Sequence, residues 1–189
     1  YQQFISQGFQ NAIVFSNYGV ILEGLDDPDK AIALYKKSIK LFPQSHQAYC
    51  NLGNVMRSKG MLQDAEFLQR KAIELNPNFA EAYSNLGTIL KELGKLEEAE
   101  SFQRKAIKIK PNFAESHFNL GDLLKDKSPK DAIASYERAI KYKMDYDLCC
   151  AAIGEVLLLM GKHKEGLTKI RKSDGSILFD NNQSLFVKK

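Results

Sequence analysis

Four asparagines, Asn17, Asn51, Asn85 and Asn119, recur at intervals of 34 residues in this chain of 189. A carboxamide offers one acceptor oxygen and two N–H donors. A ladder of such groups can therefore pair with the C=O and N–H of an extended peptide without reading its side chains. Helix propensity does not account for the recurrence, because Asn is a mediocre helix former that prefers caps and turns. Bond-making chemistry has no comparable pattern. His46, His117 and His163 are scattered, and no His, Cys or carboxylate cluster stands at metal-ligand spacing. No Gly-x-Ser-x-Gly string, glycine-rich phosphate loop or kinase-type string is present. The expectation is a protein without catalytic residues, metal or cofactor.

Composition narrows the class further. Hydrophobic residues at 44% and charged residues at 26% are close to the soluble globular average and exclude a collagen-like or predominantly disordered chain. The 27 Lys and Arg against 23 Asp and Glu leave a formal charge of +4 that is small and interspersed, which argues against nucleic acid as the partner. No apolar run, Val156 to Met160 included, approaches a membrane span of roughly 18 residues, so no membrane is expected. Three cysteines, Cys50, Cys149 and Cys150, form no spaced framework and read as free thiols in a reducing, cytoplasmic setting. The sequence starts at Tyr1 with no signal-like segment, and the expectation is that the natural protein continues upstream.

The elements that must position the asparagines follow from the same period. Tyr18-Gly19, Leu52-Gly53, Leu86-Gly87, Leu120-Gly121 and Ile153-Gly154 are spaced by 34, 34, 34 and 33 residues. Ala31, Ala65, Ala99, Ala132 and Gly166 keep that register, as do Ser38, Ala72, Ala106, Ala139 and Ser173, with Pro43, Pro77 and Pro111. The chain divides into repeats at 12–45, 46–79, 80–113, 114–146 and 147–180, with residues 1–11 as the second helix of a truncated upstream repeat and 181–189 as a tail. Apolar spacing and punctuation predict two helices in each repeat, for example His46 to Lys59 and Gln63 to Asn76. Gly60, Gly94 and Gly161 stop first helices, and Asp27-Pro28 and Ser128-Pro129 place a capping side chain before a proline.

The aromatic, the Leu-Gly pair, the small second-helix residues and the closing proline together resemble the tetratricopeptide repeat family, over about nine-tenths of the chain. The resemblance implies an all-α, right-handed superhelical solenoid of antiparallel helix hairpins, with first helices lining a concave surface. Departures are Gln69 and Gln103 at a second-helix position usually aromatic, as at Tyr35 and Tyr136, with Phe67 and Phe102 expected to supply the missing bulk. His117 and Cys150 replace an aromatic, and Met144 and Leu178 stand in place of proline. Two short apolar runs, 176–179 and 185–187, form an extended cap for the exposed end of the array.

The resemblance also places Asn17, Asn51, Asn85 and Asn119 on the concave face, where Ala152 breaks the row. The ladder is similar to that in the repeat domain of O-linked N-acetylglucosamine transferases, matched by Asn-Leu-Gly at Asn51, Asn85 and Asn119. Nothing resembles their catalytic domain. The alternative is that these asparagines satisfy neighbouring helix ends or face solvent. Asn54 lies a turn further along, then Arg57, Lys91 and Lys125, a row of cations able to meet an acidic side chain or a carboxylate. Glu81, Glu92, Glu115, Asp122 and Asp126 beside them make intrahelical pairing an equal reading. The carboxylate clamp of co-chaperone members is missing, since Ser16, Val20, Glu81 and Asn85 occupy its positions. In the fifth repeat the stripe turns apolar at Leu148, Ala151, Leu158 and Leu159, a face that a tail, another domain or a second copy would cover.

The sequence reading is therefore a non-catalytic scaffold for an extended peptide or protein segment. The alternatives are the substrate-recruiting region of a larger enzyme, such as a transferase, or a homo-oligomeric assembly module joined through repeat five or the tail.

Overall fold

The computed structural model describes residues 11–25, 27–174, 177–179 and 185–187. Among the described residues, ten helices follow one another in hairpins: α1 (Ala12–Gly24) and α2 (Pro28–Leu41), α3 (His46–Ser58) and α4 (Leu62–Leu75), α5 (Ala80–Glu92) and α6 (Leu96–Ile109), α7 (Ala114–Leu124) and α8 (Pro129–Lys141), α9 (Tyr146–Leu159) and α10 (His163–Asp174). A short antiparallel strand pair follows, with Ile177 opposite Val187 and Phe179 opposite Leu185. Residues 1–10, expected to be a helix, lie outside the described residues, as does most of the 181–189 tail.

The chain forms two compact units, one ending at Ile109 and the other beginning at Lys110. In the first, each hairpin packs its own two helices together and then onto the next through α2 against α3 and α4 against α5. The first helices also touch their successors, α1 with α3 and α3 with α5. The second unit repeats the scheme with α7 on α8, α8 on α9 and α9 on α10.

Local signals set the helix ends. Asn11 Oδ1 accepts from Ile13 N at 2.8 Å and Asp27 Oδ1 from Lys30 N at 3.3 Å, which satisfies first-turn donors of α1 and α2. Gly60, Gly94 and Gly161 take φ of 75°, 76° and 75°, the left-handed turn that ends α3, α5 and α9 where the sequence expects it. Ser128 departs from its expected cap: its hydroxyl donates to the Asp131 carboxylate at 2.5 Å and caps no backbone N–H of α8. Asp145 caps α9 instead of a proline turn, accepting from Leu148 N at 2.7 Å.

The small residues of the 34-residue register sit where two helices close on each other. Ala31, Ala65, Ala99, Ala132, Ala72, Ala106 and Ala139 are fully buried. The glycines face the bulk of the partner helix: a Cβ on Gly19 would lie 2.4 Å from the Tyr35 ring, and one on Gly121 2.6 Å from that of Tyr136. At Gly53 and Gly87 the facing groups are Gln69 and Gln103, at 2.8 and 2.7 Å.

That geometry corrects one expectation. Gln69 and Gln103 fill the aromatic slot themselves, fully buried, whereas Phe67 is 67% exposed. Two residues along a helix is a rotation of about 200°, so Phe67 faces away from the slot that Gln69 enters. The buried amides find partners on the preceding helix. Gln69 Nε2 donates to Cys50 O at 3.0 Å and to Asn54 Oδ1 at 2.9 Å, and Gln103 Nε2 donates to Ser84 O at 2.9 Å.

Candidate functional site

The asparagine row is not uniform. Asn17 on α1 is exposed, and no hydrogen bond ties its side chain to another described residue. Asn51 on α3 is 8% exposed; its Oδ1 accepts from Gln47 Nε2 at 2.8 Å, and its amide reaches the Tyr35 phenol. Asn85 on α5 is half-buried and donates to Cys50 Sγ at 3.3 Å, linking consecutive first helices. Asn119 on α7, in the second unit, is half-buried. The spare hydrogen-bonding capacity in the first unit is therefore greatest at Asn17 and falls at Asn51.

Asn54 is engaged as the acceptor for Gln69, so it supports the slot as well as lining the stripe. Arg57 lies 3.9 Å from Glu92, a half-exposed pair whose Coulomb energy is small in water. Lys91 and Lys125 are half-buried.

Two buried groups on this face are held neutral. Burial, reinforced by the Glu23 carboxylate that accepts its proton at 2.5 Å, pushes the Tyr35 phenol far above its ordinary range. Burial likewise raises the Cys50 thiol to about 11, against the lowering effect of Asn85 and Gln69. All three cysteines are free and buried. Among the described residues, no group of three or more His, Cys, Asp or Glu side chains could hold a metal ion. No helix among them is long and apolar enough to cross a membrane.

A cavity of about 630 Å³ opens between α1, the loop after α2 and the start of α3. Ile13 and Phe42 supply its apolar lining, and Asn17, Gln44, His46 and Gln47 its polar groups. The period does not single out Ile13, Phe42 or Gln44. The available signal is subtler: the position of Ile13 carries Gln47, Glu81 and Glu115 in the next three repeats, and that of Val20 carries Asn54, Thr88 and Asp122. On α9 the apolar stripe is partly uncovered, with Leu148 at 46% and Leu159 at 66% exposure, and Ala151 and Leu158 half-buried.

Tetratricopeptide repeat models match residues 12–45, 34–67 and 68–101. Among solved structures, MamA is 26% identical, with a TM-score of 0.70 over 82% of this chain and 91% of its own. TTC0263, a thermophilic TPR protein of Thermus thermophilus, is 23% identical, with a TM-score of 0.72 over 86% and 90%. YrrB, a TPR protein with an unusual peptide-binding site, is 20% identical, with a TM-score of 0.67 over 92% and 90%. No curated protein sequence matches the chain. Residues 12–101 match tetratricopeptide repeat models, and the chain shares the helical-hairpin repeat fold of these solved structures.

Proposed function

We propose that the chain holds an extended peptide segment of a partner protein along its first helices, with carboxamides meeting the peptide backbone and no chemistry performed on the ligand. The observation that carries this reading is the recurrence of Asn17, Asn51, Asn85 and Asn119 on α1, α3, α5 and α7 of a tetratricopeptide-repeat fold. The row resembles the asparagine ladder of O-linked N-acetylglucosamine transferases. Peptide binding is also the property attached to YrrB, on a similar fold. Arg57, Lys91 and Lys125, with the carboxylates beside them, supply selectivity for charged side chains of the segment.

The test is selection from a random heptapeptide library displayed on phage, followed by fluorescence polarisation with a selected peptide. Asn17→Ala and Asn85→Ala should each weaken binding about fivefold, the loss of roughly 1 kcal/mol per hydrogen bond, with circular dichroism unchanged. Unchanged affinity in the double variant would make the ladder structural. A second reading, self-association, is favoured by the exposure of Leu148 and Leu159 on α9. Light scattering decides it: a monomer at all concentrations removes that reading.

A further inference from the structure

The first hairpin departs from the polar stripe at one place, and there the stripe meets the 630 Å³ cavity. Ile13, Asn17 and Val20 lie on one face of α1 at spacings of four and three residues. Ile13 is 65% and Val20 54% exposed, large apolar side chains held in solvent on either side of an uncommitted carboxamide. Burying either would release free energy in proportion to the apolar area covered. Among the described residues that line the cavity there is no Asp, Glu, Lys or Arg. His46 Nε2 lies 3.3 Å from the Asn76 amide nitrogen. A charged ligand group placed here would lose water without gaining a counter-charge. The first turn of α3 begins at the cavity without a side-chain cap; Ser45, His46 and Ala48 N–H donate to Phe42, Gln44 and Ser45 carbonyls, which leaves the Gln47 N–H to join the Asn17, Gln44 and Gln47 side chains as partners for amide groups.

We infer that this cavity is the anchor subsite of the peptide groove, and that it takes a bulky uncharged aliphatic or aromatic side chain from an extended segment. The inference rests on the proposed peptide binding and adds what the peptide must contain. The side chain packs against Ile13 and Phe42. The flanking peptide groups hydrogen-bond to Asn17 and Gln47, and Val20 covers the segment as it leaves the cavity toward the polar stripe.

The test uses the same heptapeptide library. Enriched peptides should share one bulky apolar position. Replacing that residue by Asp in a synthetic peptide should weaken binding at least tenfold, and Ile13→Asp in the protein should do the same. Ile13 lies in the first turn of an exposed helix face, where a carboxylate suits the helix dipole, so this variant keeps its fold; Val20→Ser provides a second, milder loss of about threefold. Lys105→Ala, on α6, leaves affinity unchanged. Enriched peptides defined by charged residues and indifferent to Ile13→Asp would overturn the anchor while leaving peptide binding in place. No enrichment at all would overturn both. A dimer seen by light scattering and dissolved by Ile13→Asp would give the cavity to a second copy of this chain and overturn the anchor.

Discussion

In the first four hairpins the slot facing the first-helix glycine is filled in two different ways, while in the fifth it holds Ile170. In the first and fourth hairpins it holds Tyr35 and Tyr136, whose hydroxyls donate to Glu23 at 2.5 Å and Asp122 at 2.8 Å. In the second and third it holds Gln69 and Gln103, whose amides donate to backbone carbonyls of the preceding helix. All four side chains are almost completely buried. The shared requirement is a flat group thin enough to lie against a residue without a Cβ. The aromatic solution contributes apolar area and sends its polar atom outward to a carboxylate. The amide solution contributes less area and must satisfy its polar atoms inside the fold, and it leaves Gln69 Oε1 without a partner.

If that contrast is right, the largest effect comes from emptying the slots. Tyr136→Ala should cost about 3–5 kcal/mol, the range for deleting a buried aromatic, read from the urea midpoint of the second unit. Gln103→Ala should cost about half as much, because less apolar area is lost although the Ser84 hydroxyl loses its acceptor. Equal losses would mean that the slots are energetically alike. Next come the glycines. Ala normally improves a helix position over Gly by about 0.5–1 kcal/mol, and Gly24→Ala, with nothing within 4 Å of the new Cβ, should show part of that gain. Gly121→Ala meets three Tyr136 ring atoms within 2.8 Å and should instead destabilise by about 1–3 kcal/mol. A stabilised Gly121→Ala would show that the ring shifts freely.

The 34-residue period and the glycine stops made the helix pairs legible: the expected His46 to Lys59 and Gln63 to Asn76 compare with His46–Ser58 and Leu62–Leu75. Helix ends are local events, set by residues adjacent in sequence. The slot chemistry was less legible, because whether Gln69 or a neighbouring Phe enters the core depends on a rotation about the helix axis and on acceptors such as Cys50 O that lie on another helix. The site was legible only in its recurrence. That Asn51 is engaged by Gln47 and Tyr35 while Asn17 is exposed depends on side chains reaching in from a neighbouring helix, which no single repeat announces.

Smaller effects separate the two tyrosine slots from their polar tails. Tyr35→Phe keeps the ring and removes only the hydroxyl's ties to Glu23 and Asn51, so it should cost about 1–2 kcal/mol. A cost near that of Tyr35→Ala would place the stabilisation in the hydroxyl and undo the distinction drawn between area and hydrogen bonding.

The second hairpin is tied to the third at the surface. Glu66, two turns ahead of Ile73 on α4, accepts from Arg70 at 2.8 Å and from Lys95, at the start of the next second helix, at 2.9 Å. Desolvation raises its pKa, but the bonds from Lys95 and Arg70 outweigh it, and the carboxyl is held below its ordinary value. A carboxyl lowered in the folded state contributes stability above its unfolded pKa of about 4.3 and loses it as the pH falls through the folded value. Glu66→Gln should therefore cost less than about 1 kcal/mol at pH 7, since both cations are half-exposed, and the difference from wild type should shrink on acidification and vanish once the pH falls below the folded value. If the gap between the two proteins persists at low pH, Glu66 acts through packing of its aliphatic stem, and the charge is incidental to the junction.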